Sequence, residues 1–159
     1  MILQKVRSNF SPIQDLWIFV HILFLITILP LLLRFMSLSR LLAFLTSNDV
    51  NVCRNSDMEK VQDRIVKYTD YILSRNFWIY RHSCLKRSLV LYHFLRKSGI
   101  NVSIRVGVRY VGTLPYGEDK KLEGHAWLVC GDEYYLENNI EEAKTCKVIY
   151  CFPVDMENS

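Results

Sequence analysis

The sequence predicts an α+β fold, with helices first and an antiparallel sheet after them. Three observations predict it. Apolar residues recur at helical spacing from Met58 to Ile72 and again from Leu85 to Leu95, and the period drops to two after Gly99. The strand-like runs that follow are then divided by turn-forming residues. At 159 residues the chain has the length of one domain with a small appendage.

The appendage is an apolar helical segment over residues 1–46. Leu16 to Leu33 is a run of eighteen residues without a charge, closed by Arg34. At about 1.5 Å per residue, such a helix just crosses a hydrocarbon core of roughly 30 Å. His21 lies inside the run. Pro30 either kinks the helix near its end or opens a second one through Arg34 and Arg40 to Leu45. A span over about 16–34 and a helix packed on the domain or at a membrane surface are both open readings. A secretory signal is not, because the run is too long and no small-residue cleavage site follows. Lys5 and Arg7 before the run and Arg34 and Arg40 after it give little orientation.

Thr46 to Ser56 reads as a linker. Ser56 and Glu59 have the spacing of a capping box, and Met58, Val61, Ile65, Tyr68 and Ile72 continue a helix to about Ser74. Leu85, Leu89, Leu91, Tyr92 and Leu95 mark the next helix, which Gly99 closes. Val102, Ile104, Val106 and Val108 alternate as one buried strand face. Gly112 to Lys121 is a loop. Leu122–Val129 and Glu133–Leu136 form a hairpin about Gly131-Asp132, and Val148–Phe152 is a last strand stopped by Pro153. These elements make a domain over 57–153.

The composition is half hydrophobic and 23% charged, with a net charge of +4 spread along the chain. No basic stripe interleaved with aromatics appears, so nucleic acid is excluded as a partner. The five cysteines are odd in number and lack a CxxC pair, which supports neither a disulfide framework nor a zinc ribbon. No metal and no cofactor are called for. Free thiols fit a reducing, cytoplasmic setting.

Cys84 begins a helix, with Ser83 as candidate N-cap, and His125 lies in the strand-like Leu122–Val129. A thiol in a first helical turn feels the positive end of the helix dipole, and a nearby imidazolium adds to it, which favours thiolate. Its own N–H could help to bind an oxyanion. Alone, Cys84 reads as a buried helix cysteine and His125 as a satisfied strand histidine; their order and setting give the pair its meaning. Gly124 and Ala126 keep the histidine's surroundings small, and Trp127 can exclude water. His93 falls about half a turn from the Cys84 face and points away, His21 belongs to the apolar run, and His82 precedes the helix.

A third group must hold the imidazole tautomer. Asp132 is at the turn tip, too far away. If Gly131-Asp132 is a two-residue turn, His125 falls opposite Asn138; a three-residue connection brings Glu137 to the His125 face. Both stay open on this ground.

Cys84-Leu85-Lys86-Arg87-Ser88-Leu89, Leu95-Arg96-Lys97-Ser98-Gly99-Ile100, Arg105 to Arg109 and Gly124-His125-Ala126-Trp127 resemble, in joint order and spacing, the transglutaminase-like cysteine proteases that mature lasso peptides, the microcin-processing or B2 family. The resemblance covers roughly residues 57–140, and the apolar N-terminal run is similar to that of stand-alone members. It implies a transglutaminase-like (papain-like) fold and a Cys-His-Asp triad whose acid follows the histidine by about twelve residues. That position is Glu137, a departure by one methylene, with Asn138 the competitor. It also implies that Arg87 belongs to the motif, with a structural role in pairing an acid. The activity implied is removal of the leader from a ribosomally made precursor peptide. The implied partners are a separate leader-recognition protein and an ATP-dependent cyclase; attachment to the cytoplasmic membrane is the expectation that the apolar helix itself raises. Acyl transfer to an amine, or an inactive scaffold signalled by Glu in place of Asp, are the rival readings.

Overall fold

The computed structural model describes residues 12–46, 55–75, 84–111 and 121–153. Among these described residues, five helices and four strands follow in the order α1 (Pro12–Phe35), α2 (Leu38–Leu45), α3 (Asn55–Ser74), α4 (Cys84–Lys97), β1 (Ser103–Val111), β2 (Lys121–Cys130), β3 (Glu133–Tyr135), α5 (Ile140–Thr145) and β4 (Lys147–Phe152). The strands form one antiparallel sheet in the order β3-β2-β1-β4. The arrangement is the expected α+β one.

The 3.6-residue period produces the helices, and their apolar faces meet on one side of the sheet. Ile22, Ile26 and Leu29 of α1, Leu41, Leu42 and Leu45 of α2, Ile65, Ile72 and Leu73 of α3, and Leu89, Leu91 and Leu95 of α4 share one core with Ile104 and Leu128. The apolar helices α1 and α2 therefore pack into the same core as the rest. The α1 helix continues through Pro30 and ends at Phe35, so Pro30 opens no second helix; α2 begins instead after Ser37. Ser56 is not an N-cap either, because α3 has already started at Asn55. Gly99 does close α4. With φ +87 it lets Gly99 N–H reach Arg96 O at 3.0 Å and Ile100 N–H reach Leu95 O at 3.0 Å, so two orphan carbonyls are satisfied.

The opposite sheet face carries a smaller cluster of Trp127, Val129 and Ala143, with Tyr134 and Cys146 against it. Ala143 comes from α5, a six-residue helix that the sequence pattern did not announce. This second cover changes the burial expected of β1. Val102 and Ile104 are buried, but Val106 and Val108 are only half-buried, whereas Gly107 on the other face is buried. A residue is skipped in β4 where β1 passes from Val106 to Gly107, pairing them with Tyr150 and Val148. Lys121, the last residue of the expected loop, already belongs to β2, while residues 112–120 of that loop, most of the expected linker, Ser83 and His82 lie outside the described residues.

Candidate active site

The site forms where the first turn of α4 meets the uncovered part of β2. The third strand is three residues long and pairs only with Leu128, Val129 and Cys130. Nearer its start, β2 is therefore edged by α4. Ser88 Oγ donates to Ala126 O at 2.9 Å, and one turn earlier Cys84 Sγ lies 3.8 Å from Gly124 O. The spacings match: four helical residues rise about 6 Å and two strand residues about 6.7 Å. Two contacts thus set the thiol beside the residue that precedes His125. Cys84, His125 and Glu137 line one cleft of about 210 Å³ together with Arg87, Asn138, Asn139 and Glu142.

His125 is 7% exposed. Its Nε2 lies 3.3 Å from Glu137 Oε1, and both side chains are buried. The same carboxylate oxygen accepts the Asn139 N–H at 3.0 Å. With Nε2 engaged, Nδ1 is the ring nitrogen left for exchange with the thiol. Trp127 stacks on the imidazole at 5.8 Å and 20° between planes, and its own 2% exposure closes that side to water.

Glu137 reaches His125 by a route other than hairpin register. Cys130 pairs with Glu133, so Gly131-Asp132 is the two-residue turn that would set Asn138 opposite His125 if the ladder continued. It does not continue. Leu136 takes φ +54 and turns the chain out of the strand, which brings Glu137 round to the imidazole. Asn138 also lines the cleft, but among the described residues it is Glu137 that bonds the ring. Asp132 is fully exposed at the turn and faces Arg105 at 3.6 Å.

Arg87 holds that turn from α4. Its Nη1 donates to Leu136 O at 2.7 Å, while Nε and Nη2 fork onto the Asp70 carboxylate of α3 at 2.7 and 3.2 Å. A planar guanidinium is suited to this three-way tie. Asp70 carries no motif signal; only its position one α3 turn before Ser74 could have marked it. Arg109 makes a second tie, to Glu123 at 3.4 Å and Glu142 at 2.8 Å, and so fixes α5 over the cleft.

The close backbone approach is at Gly107 rather than Gly124. A Cβ on Gly107, the cross-strand partner of His125, would lie 2.9 Å from both Cys146 Cβ and the Trp127 ring, whereas one on Gly124 would meet only an ordinary contact at 3.9 Å. Burial pushes the Cys146 thiol up from its ordinary pKa; Arg109 opposes this, and Glu142 and Cys84 add to it. His93 faces away, with Nδ1 2.8 Å from Leu45 O and its ring against His21 and Phe94. The four cysteines described are free thiols, and no cluster of metal-ligating residues occurs among the described residues.

A helix-borne thiol that shares a cleft with a sheet-borne imidazole bonded to a carboxylate is an arrangement suited to thiol-dependent acyl-group chemistry. Consistent with it, the model of the transglutaminase-like superfamily matches residues 26–151, and the chain belongs to that superfamily. The superfamily includes cysteine peptidases and transglutaminases. No curated protein and no solved structure shows significant similarity to the chain.

Proposed function

We propose that the protein is a cysteine peptidase that removes the leader from a ribosomally made, lasso-type precursor peptide. The observation that carries the chemistry is the His125–Glu137 contact in the cleft that Cys84 opens. The leader-peptide assignment rests on the resemblance of the Cys84–Leu89 and Gly124–Trp127 motifs.

Cys84 Sγ attacks the scissile carbonyl as His125 Nδ1 receives the thiol proton. The unpaired N–H groups of the first α4 turn stabilise the oxyanion. The imidazolium, held at Nε2 by Glu137, protonates the leaving amine, and water then resolves the thioester. A leader-recognition protein presents the precursor, an ATP-dependent cyclase closes the ring, and the enzyme works in the cytoplasm at the inner face of the membrane.

Incubation of the full chain with precursor and leader-binding partner tests the reading. Cleavage is expected, and Cys84→Ala is expected to abolish it; a Cys84→Ala protein of full activity would remove the proposal. Superfamily membership keeps acyl transfer as the second reading. A tagged amine added to the same reaction separates them: hydrolysis leaves the product untagged, whereas acyl transfer tags it.

A further inference from the structure

Both sides of α1 are apolar, but only one is covered. Ile22, Leu25, Ile26 and Leu29 are buried in the core, whereas Leu16, Trp17, Val20, Phe24, Leu31 and Phe35 are each more than half exposed. At 100° per residue the second set falls within one arc of about 100°, opposite the first. The stripe therefore runs from Leu16 to Phe35, about 29 Å along the helix. Phe44 of α2 is 72% exposed as well. Thr27 shares the outward arc, and its hydroxyl donates to Leu23 O at 2.7 Å within the same helix.

We propose that α1 lies in the plane of an anionic membrane surface, its outward stripe buried among the acyl chains and its inward face still packed on the domain. This inference is independent of the peptidase reading. Charge complementarity selects the occupant. No acidic residue occurs between Asp15 and Asp49, and Asp15 is paired with Arg64. Cations stand at both ends of the stripe: Lys97 lies 5.6 Å over the Trp17 ring, and Arg34 and Arg40 are exposed at the other end. An apolar stripe between cations fits acyl chains below anionic headgroups. Length and hydropathy also suit a span. Spanning, however, would strip Ile22, Ile26 and Leu29 from the core and His21 from Phe94, leaving the α3 and α4 surfaces bare.

The test is flotation of the full chain with vesicles of mixed phosphatidylglycerol and phosphatidylcholine, against pure phosphatidylcholine. Flotation is expected on the anionic vesicles, weaker on the zwitterionic ones, and reversible in alkaline carbonate. The outward pair Phe24→Ser and Phe35→Ser is expected to lower partitioning about tenfold or more, with the thermal melting curve unchanged. A second readout is the share of tryptophan emission that Trp17→Phe removes: it is quenched more by bromines near the headgroup than by bromines at the chain ends. A chain that stays unbound to anionic vesicles overturns the inference. So does retention after carbonate, which means spanning, or a dimer in lipid-free buffer that the outward pair dissociates, which means that a second copy covers the stripe.

Discussion

Arg87 Nη1 and the carbonyl oxygen of Leu136 lie 2.7 Å apart, across 49 residues of chain. This bond ties the helix that begins with the thiol to the turn that delivers Glu137. Asp70 fixes the guanidinium from the other side. Arg87→Lys keeps the charge but loses the fork, so Glu137 is held less firmly. The expected result is a tenfold fall in kcat, roughly, with KM little changed, and a stability loss of about 2 kcal/mol because Asp70 is partly exposed. A purely structural arginine would lower stability while leaving kcat per folded molecule intact, and urea denaturation beside steady-state kinetics distinguishes the two.

Glu137 and Asn138 are neighbours with different expected fates. Glu137→Gln retains a group able to hold Nε2 and should keep activity to within about tenfold, whereas Glu137→Ala should lose roughly a hundredfold. Asn138→Ala should remain near the parent rate. If Asn138→Ala proved the more damaging substitution, the third role would belong to Asn138.

Gly107→Ala brings a methyl group into Trp127 and Cys146, with the Lys147 carbonyl 3.0 Å away. Ring and strand cannot both yield cheaply, so a loss of about 1–3 kcal/mol is expected. Because Trp127 stacks on His125, the near-ultraviolet circular dichroism of the indole should change in parallel with activity. An unperturbed Trp127 signal would contradict the packing account.

Burial lowers the pKa of both His93 and His21 below the ordinary histidine value of 6.5; Lys97 adds to both, and the Leu45 carbonyl partly opposes it at His93. The unfolded chain therefore binds more protons than the folded one as pH falls through 6.5. The stability from keeping these rings neutral is complete above that pH and is lost below it, down to the lowered values. His93→Gln should flatten the fall in urea midpoint between about pH 7 and 5. An identical slope in the variant would assign the acid sensitivity elsewhere.

The sequence by itself marked Cys84 and His125, because a helix start and a strand run are local patterns and both motifs lie within them. It also determined the helices over 58–74 and 85–97 and the hairpin about Gly131-Asp132, where period and turn chemistry agree. It could not say which side of α1 is covered, since a helix apolar all round carries no directional period; contact with α3 and α4 decides that. Nor could it choose between Glu137 and Asn138. Counting along the hairpin left both open; the two-residue turn that forms would set Asn138 opposite His125, but the positive φ at Leu136 ends the ladder, and Arg87 on a distant helix holds the turn that results. The fold class and the candidate pair Cys84 and His125 are consequences of local periodicity and motif. The third partner and the exposed stripe are consequences of long-range packing, whose energy no local window contains.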